Sequence, residues 1–269
     1  RSKANSRFVP EEFIQNLGKN SIEEVSLGDQ VEKEMTVVFT DIRGFTKISE
    51  GLNPQENFDF LNDYLEGIIP IISKNGGFID KFIGDSVMSL FPNKPDDAIK
   101  AVMEFEVFLK EFNSNLNQKR GIQPINIGSV IHTGKMILGT IGHEDRLETT
   151  VISDAVNTAA RVERLSKFYE CPIIVSENSI LKLSKPKEFE FRFLDNVIVK
   201  GKSKSLMVFQ ILTNEDNIKK QYNEEYHESI ELMREGEYQK AKNLFLKLLK
   251  INSNDKAVKR FLEKCDNVL

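Results

Sequence analysis

The chain has 269 residues, of which 40% are apolar and 29% charged, as is typical of a soluble globular protein. The formal net charge of -4 argues against a basic surface that would recruit nucleic acid or an anionic membrane. No run of about 18 apolar residues occurs, so no membrane-spanning helix is expected. The two cysteines are far apart and fit a reducing compartment, so we expect a cytoplasmic domain, whether or not the full-length protein is membrane-tethered.

Residues 1–33 form a polar lead-in with a weak helical stripe of apolar side chains. The stripe consists of Phe8, Phe13, Ile14 and Leu17. Two interpretations remain open, a plain linker and a short signal-transducing helix. Because the first residue is arginine rather than methionine, we also expect that an upstream sensor or membrane domain is missing from this chain.

The next segments alternate between strand and helix patterns. Residues 36–42 (TVVFTDI) form a β-branched run that predicts a buried strand. Residues 46–73 have apolar side chains at helical spacing, and NGG at 75–77 ends that helix. The stretch KFIGDSVMSLF at 81–91 predicts two short strands joined by a tight turn at its glycine. A second helix is expected from Pro95 to about residue 118.

The following segments predict more sheet around a third helix. We expect two strands at 125–134 and 135–142, turning near Thr133 and Gly134, and then a helix in DAVNTAARVERLSKF. Further predicted strands cover 173–176, 189–201 and 206–212. This order predicts an α+β fold of the ferredoxin-like or palm type, with a mostly antiparallel sheet and helices packed on one face.

Residues 214–269 change character to charged helix without any strand signal. Within them, residues 225–252 have the spacing of one tetratricopeptide unit. One such unit cannot bury its own apolar face, so it packs on the main domain as a cap or serves a protein partner, and the sequence leaves both open. The predicted organisation is therefore a lead-in at 1–33, a catalytic domain at 34–213 and a small helical segment at 214–269.

Two aspartates occupy similar positions, each where a predicted buried strand meets a glycine turn. Taken singly, Asp41 fits a helix cap and Asp85 fits a turn. On neighbouring strand ends, however, two carboxylates repel each other unless cations lie between them. Oxygen ligands without histidine favour Mg²⁺ or Mn²⁺, and two such ions roughly 3.5–4 Å apart activate one oxygen and stabilise the leaving one. Together, the two residues predict a two-ion site.

Four motifs extend this interpretation to a known family. FTDIRGFT, KFIGDSVMSLF, VIHTG and TTVISDAVNTAARVE resemble the class III nucleotidyl cyclases, the catalytic domain of adenylate and guanylate cyclases. The resemblance runs in order from about Gln30 to Leu212. It implies a homodimer that converts ATP to 3′,5′-cyclic AMP and pyrophosphate, with Mg²⁺ or Mn²⁺ as cofactor.

The resemblance also implies a role for each matching residue. Asp41 and Asp85, helped by the carbonyl of Ile42, would hold both ions of one site. The partner chain would supply the residues that contact ATP. Those residues are Lys81 and Thr150 for the adenine, Asn157 for the ribose, Arg161 for the α-phosphate, and Lys200 with Lys202 for the β- and γ-phosphates.

Three positions depart from the common family pattern. Thr150 stands where aspartate is frequent, although a Lys–Thr pair is familiar in bacterial adenylate cyclases. Ser153 and Val130 replace frequent glycines, and we expect Val130 to narrow the nucleotide cleft. Guanylate cyclase activity and a catalytically silent nucleotide-binding module are the alternatives. Lys81 argues against the first, because lysine has no acceptor for the N1–H of guanine.

Overall fold

The computed structural model describes residues 9–143, 146–198 and 205–269, apart from the side chains of residues 117–120. The described strands are β1 (Gln30–Ile42), β2 (Phe78–Ile83), β3 (Ser86–Phe91), β4 (Ile127–His143), β5 (Arg146–Ile152), β6 (Ile173–Ser176), β7 (Glu190–Ile198) and β8 (Ser205–Leu212). The described α-helices are α1 (Glu11–Asn16), α2 (Phe45–Glu50), α3 (Pro54–Lys74), α4 (Pro95–Arg120), α5 (Asp154–Tyr169), α6 (Glu177–Ile180), α7 (Asn217–Gln221), α8 (Asn223–Arg234), α9 (Tyr238–Ile251) and α10 (Lys256–Asp266). None of these helices combines the length and apolar character needed to cross a bilayer.

The strands form one sheet in the order β2-β3-β1-β4-β6-β8-β7, and β5 pairs with β4. Only the β4–β6 pair is parallel among the described pairs, so the predicted α+β fold with a mostly antiparallel sheet is confirmed. Strand β1 lies between β3 and β4. Its pairing of Thr40 with Val87 brings the end of β1 beside the turn between β2 and β3.

Helices cover both faces of the sheet, so the expectation of helices on one face was wrong. Val38 and Ile42 of β1 pack in one core with α3 and α4. Val37 and Phe39 point the other way and pack in a second core with α5 and α1. The reason is that every residue of β1 from position 35 to 42 is buried, and a strand buried on both faces needs cover on both.

The region predicted as two strands around Thr133 and Gly134 is a single long strand, β4. Gly134 pairs with Met35 of β1 within the ladder and makes no turn. A Cβ atom at Gly134 would lie 2.8 Å from the Cβ of Ala155 in α5. The glycine therefore permits close helix–sheet contact. In the sequence alone, a glycine with this role looks the same as one that marks a turn.

The helix expected over 46–73 is divided into α2 and α3. The division follows from the cap of α3, where Asn53 accepts a hydrogen bond from the Glu56 amide and the Glu56 side chain accepts one from the Asn53 amide. Such a capping box starts a new helix. Pro70 lies inside α3, which continues to Lys74.

The C-terminal helices pack on the sheet at β7 and β8. Their apolar side chains, among them Tyr226, Phe245 and Phe261, share one core with Phe193 and Val208. Three side chains of α8 also form hydrogen bonds with the β7 backbone. The Tyr226 hydroxyl donates to the Phe193 carbonyl, and Asn223 Nδ2 donates to the Phe191 carbonyl. His227 Nε2 accepts from the Phe193 amide. The segment thus buries its apolar face against the main domain.

Candidate functional site

The two predicted metal-binding aspartates lie side by side. The backbone amide of Ile42 donates a hydrogen bond to Asp85 Oδ2 at 2.8 Å. Gly84, which precedes Asp85, has φ +62°, a conformation that glycine adopts without strain, so the β2–β3 turn can present the carboxylate toward β1. The sequence prediction that these strand ends meet is confirmed by the β1–β3 pairing.

Asp41 is buried, with 6% of its surface exposed, and it lies between two cationic side chains. Its Oδ1 is 3.3 Å from Arg43 Nη1, and its Oδ2 is 3.2 Å from Lys167 Nζ at the end of α5. Oδ1 nevertheless has no hydrogen-bond partner among the described residues. A buried carboxylate oxygen without a hydrogen bond is unusual and calls for an explanation.

Arg43 is held in place by contacts on several sides. Its Nη2 donates to Ser166 Oγ at 2.6 Å and to the Cys171 carbonyl at 3.5 Å. The guanidinium also lies over Gly128, where an added Cβ would be 1.7 Å from Nη2. The side chain therefore occupies a space that only glycine at position 128 leaves open.

The charges around Asp41 shift the pKa values of its neighbours. Burial raises the pKa of Asp85, the Ile42 amide opposes that shift, and the negative charge of Asp41 adds to it. Burial and the nearby Asp41 also raise the pKa of Glu163. Burial acts to lower the pKa of Lys167, but Asp41 and Glu163 outweigh it and raise that pKa. Asp41 and its carboxylate neighbours Asp85 and Glu163 thus interact electrostatically, and the charge of Asp41 disfavours ionisation of both neighbours.

The aspartates open onto a cleft of about 1110 Å³. Part of its lining runs from Asp41 at the end of β1 to Thr46 in the first turn of α2. Another part comes from α4, with Glu106, Leu109, Lys110 and Asn113. Lys167 and residues 170–172 close the side toward α5. The volume suits a ligand of nucleotide size.

The donor set fits a divalent cation. It offers the Oδ1 of Asp41, which accepts no hydrogen bond from the described residues, and the carboxylate of Asp85. Both donors are hard oxygens, as Mg²⁺ and Mn²⁺ prefer. No group of three or more His, Cys, Asp or Glu side chains in the described ranges is arranged to hold a metal by itself. Such a site leaves coordination positions for water and for phosphate oxygens.

The predicted base-reading residues lie away from the aspartates. Neither Lys81 nor Thr150 lines the cleft that contains Asp41. The Lys81 side chain is 45% exposed on β2, with Nζ 3.5 Å from the buried Asp80. Thr150 is half-buried on β5, opposite Gly139 of β4.

The predicted catalytic residues of α5 likewise lie outside that cleft. Asn157 is exposed and Arg161 half-buried, four residues apart on the helix. Neither lines the cleft beside Asp41. Within one chain, the two predicted metal-binding aspartates therefore lie together, and the predicted base-reading and catalytic residues lie outside their cleft. Lys200 and Lys202, expected to bind the phosphates, lie outside the described residues.

Three residues near Asp41 were missed by the sequence analysis: Arg43, Glu163 and Lys167. The spacing of Glu163 and Lys167 predicts a helical ion pair, and Lys167 Nζ is indeed 3.4 Å from Glu163 Oε1. Nothing in the sequence signals that Lys167 also reaches Asp41, because that contact spans more than a hundred residues.

Two departures from the family pattern also find their place in the structure. Val130 is fully buried in the core beside Val162 and Ile174 and does not line the cleft beside Asp41, so its effect on a nucleotide site stays a prediction. The hydroxyl of Ser153 caps α5 by accepting from the Ala155 amide at 2.9 Å. Both residues therefore have structural roles.

Comparison with known proteins gives a family match over most of the chain. The family model described as the adenylate and guanylate cyclase catalytic domain matches residues 28–213. This range includes β1 to β8 and both aspartates, and it ends before the C-terminal helical segment at 214–269. The expected resemblance is confirmed at the level of the family.

Two curated relatives are adenylate cyclases. One, from Anabaena cylindrica, is 40% identical over 210 residues, which cover 76% of this chain and 42% of that protein. The other, the terminal-differentiation specific enzyme of Dictyostelium discoideum, is 34% identical over 268 residues, or 97% of this chain and 13% of that protein. The chain thus spans less than half the length of either relative.

Solved structures of similar fold include cyclases of both nucleotide types. The adenylyl cyclase CyaB from P. aeruginosa is 32% identical, with a TM-score of 0.59, over 69% of this chain and 96% of that one. The guanylyl cyclase Cya2 is 30% identical, also with a TM-score of 0.59, over 69% of this chain and 94% of that one.

Proposed function

Because the chain belongs to the adenylate and guanylate cyclase catalytic-domain family, we propose that it converts ATP to 3′,5′-cyclic AMP and pyrophosphate. The observation that carries this proposal is the pair Asp41 and Asp85, held together by the Ile42 amide and facing a cleft of nucleotide size. The adenylate cyclases among the relatives and solved structures support ATP as the substrate.

Catalytic domains of this family are generally metal-dependent. Asp41, Asp85 and the carbonyl of Ile42 would hold two Mg²⁺ or Mn²⁺ ions here. When bound, such ions make the ribose 3′-hydroxyl more acidic and stabilise charge on the departing pyrophosphate. The Ile42 amide keeps Asp85 oriented toward the site, so the protein contributes a preformed acidic pair.

Adenine recognition would depend on Lys81 and Thr150. The ammonium of Lys81 donates hydrogen bonds and accepts none, so it suits N1 of adenine, which is an acceptor. The exposure of Lys81 on β2 supports this role, because the side chain can reach a base at the protein surface. Thr150 can donate and accept, and it adds less discrimination than a carboxylate would.

The remaining substrate-binding residues would come from the partner in a homodimer. Asn157 would orient the ribose, Arg161 would stabilise charge on the α-phosphate, and Lys200 with Lys202 would bind the β- and γ-phosphates. The position of Asn157 and Arg161 outside the cleft of Asp41 supports a site completed by a second chain. Two-fold symmetry would then give two equivalent sites.

We infer that residues 34–213 form the catalytic unit and residues 214–269 a helical segment docked on it. The match of the family model to residues 28–213 supports the first part. The hydrogen bonds from α8 to β7 support docking of the second. A binding assay with the intact chain tests whether these helices also serve a protein partner.

The direct test is product analysis by mass spectrometry with Mn²⁺ and either ATP or GTP. The wild type should form cyclic AMP from ATP and less cyclic GMP from GTP. Asp85→Ala should lose at least about 100-fold in rate because one of the two carboxylate ligands of the ions is gone. Asp59→Ala, an exposed aspartate of α3, is the matched control and should keep full activity.

Each contrary outcome points to a different conclusion. Equal activity of wild type and Asp85→Ala would show that the metal assignment is wrong. A higher rate with GTP than with ATP would favour the guanylate cyclase alternative. The similarity to the guanylyl cyclase Cya2 is the reason to test it. No cyclic product with either nucleotide would favour a silent nucleotide-binding module.

A further inference from the structure

Asp41 has a cationic neighbour at each of its two carboxylate oxygens. Arg43 approaches Oδ1 at 3.3 Å and Lys167 approaches Oδ2 at 3.2 Å. A divalent cation that binds Asp41 must share the carboxylate with these side chains or displace one of them, because like charges at such short range repel. The two neighbours differ in how freely they can leave.

Arg43 is fixed. Its guanidinium bonds to Ser166 and to the Cys171 carbonyl, and it rests in the space left open by Gly128. Its side chain is 21% exposed. Moving this group would break two hydrogen bonds and leave a buried charge without partners, which is costly.

Lys167 can move. Its side chain is 58% exposed and ends a flexible four-carbon stem, and it already has a second partner in Glu163, at 3.4 Å. Glu163 lies one turn earlier on α5, so the ammonium can shift from one carboxylate to the other without any backbone movement. The loss of the Asp41 contact is thereby compensated.

We propose that Lys167 is a positioning residue that competes with the divalent cation for Asp41 and moves to Glu163 when the cation binds. The inference rests on the proposed function, since it concerns the same carboxylate. It assigns to Lys167 and Glu163 a joint role in setting metal affinity. Lys167 orients the Asp41 carboxylate. Glu163 lowers the free-energy cost of moving the Lys167 ammonium away from Asp41.

The test measures metal binding rather than turnover. Mn²⁺ is titrated into the full chain without nucleotide, and free Mn²⁺ is followed by electron paramagnetic resonance. Lys167→Met should tighten binding about three- to fivefold, the range expected when a partly exposed ion pair is removed. Lys167→Arg retains the positive charge, so its affinity for Mn²⁺ should stay nearer to that of the wild type. Lys110→Met removes the same charge from the α4 part of the cleft lining, and the affinity of this variant for Mn²⁺ should change less than about twofold.

A double-mutant cycle separates the role of Glu163 from a direct effect on the metal. Glu163→Gln alone should weaken Mn²⁺ binding, because Lys167 then keeps only Asp41 as a partner. In the Lys167→Met background the same change should have little effect. Equal weakening in both backgrounds would show that Glu163 acts on the metal directly and would overturn its assigned role.

The remaining outcomes distinguish this inference from the proposed function. Unchanged or weaker binding in Lys167→Met would overturn the competition, while the wild type still bound Mn²⁺ and formed product. If the wild type bound no Mn²⁺, or bound it equally well after Asp41→Asn, the metal assignment itself would fail and the competition with it. Thermal denaturation of every variant checks that the fold is retained.

Discussion

Arg192 of β7 and Asp255, the residue that caps α10, form a buried ion pair between the main domain and the C-terminal helices. Their closest atoms, Nη2 and Oδ2, are 2.6 Å apart, and each side chain is 1% exposed. The same carboxylate accepts from the Tyr222 hydroxyl at 2.6 Å and from the Val258 amide at 3.2 Å. The Arg192 guanidinium lies 3.8 Å from the ring centre of Tyr226. One aspartate therefore ties together β7, the start of α8 and α10.

Breaking this pair should destabilise the protein strongly. Asp255→Ala leaves the Arg192 charge buried without its partner, at an expected cost of about 3–5 kcal/mol in the free energy of unfolding. Urea denaturation followed by circular dichroism measures the change. Lys256→Met, which removes an exposed ion pair with Glu170 next to it, should cost less than about 1 kcal/mol. A loss as small as that of the control would show that the pair contributes little.

A second variant tests whether the loss comes from the orphaned charge. In Arg192→Met with Asp255→Leu, both charges are replaced by apolar groups of similar size, and stability should recover to within about 1–2 kcal/mol of wild type. A double variant as unstable as Asp255→Ala would instead assign the loss to the helix cap and the Tyr222 bond.

Stability should depend on pH through His227. Its Nε2 accepts a hydrogen bond from the Phe193 amide, so the ring must be neutral. Burial lowers the pKa of His227, and Arg192 and Arg234 lower it further. In the unfolded chain the histidine has its ordinary pKa near 6.5, so as the pH falls it binds a proton at a higher pH than it does in the folded protein. Stability is full above about pH 7 and is lost as the pH falls from there through the folded pKa.

The measurement compares wild type with His227→Gln from pH 8 to pH 5.5 in urea. Glutamine keeps an acceptor but does not titrate, so the advantage of wild type over the variant should shrink as the pH falls. The other two histidines are present in both proteins and cancel in this comparison. A difference that stayed constant across the range would contradict the role of His227.

Gly128→Ala should disturb the site through Arg43. The new methyl would coincide with the guanidinium, so Arg43 must leave Ser166 and the Cys171 carbonyl. We expect about 1–3 kcal/mol of destabilisation and a marked fall in cyclase activity. Gly51→Ala, where a Cβ meets only one carbonyl oxygen at 3.4 Å, is the matched control. Full activity of Gly128→Ala would mean that Arg43 can be displaced without consequence.

Lys81→Met should affect ATP turnover more than folding. Removal of one hydrogen bond to the base should lower kcat/KM for ATP about three- to tenfold. Lys74→Met, which removes another surface ion pair with Glu104, should leave kcat/KM unchanged. Initial rates with ATP and GTP provide the comparison. If ATP and GTP rates fell equally, Lys81 would not be reading the base.

The sequence predicted the part of the site that depends on local pattern. Asp41 lies near the end of a buried strand and Asp85 follows a glycine turn, and the structure pairs the strands β1 and β3 beside them. It could not predict the contact of Lys167 with Asp41, which depends on where α5 ends over the sheet. It also misplaced Gly134, because a glycine needed for close packing and one needed for a turn look the same in a single sequence.

The hydrogen bonds from α8 to β7 have a consequence for self-association. β7 is the last strand of the sheet, and its outward backbone groups at Phe191 and Phe193 are taken by Asn223, Tyr226 and His227. A strand from another molecule therefore cannot form hydrogen bonds with these backbone groups of β7. A chain shortened before α8 would expose those groups together with the apolar rings around them. The terminal helices thus cover a sheet edge that would otherwise be open to strand pairing.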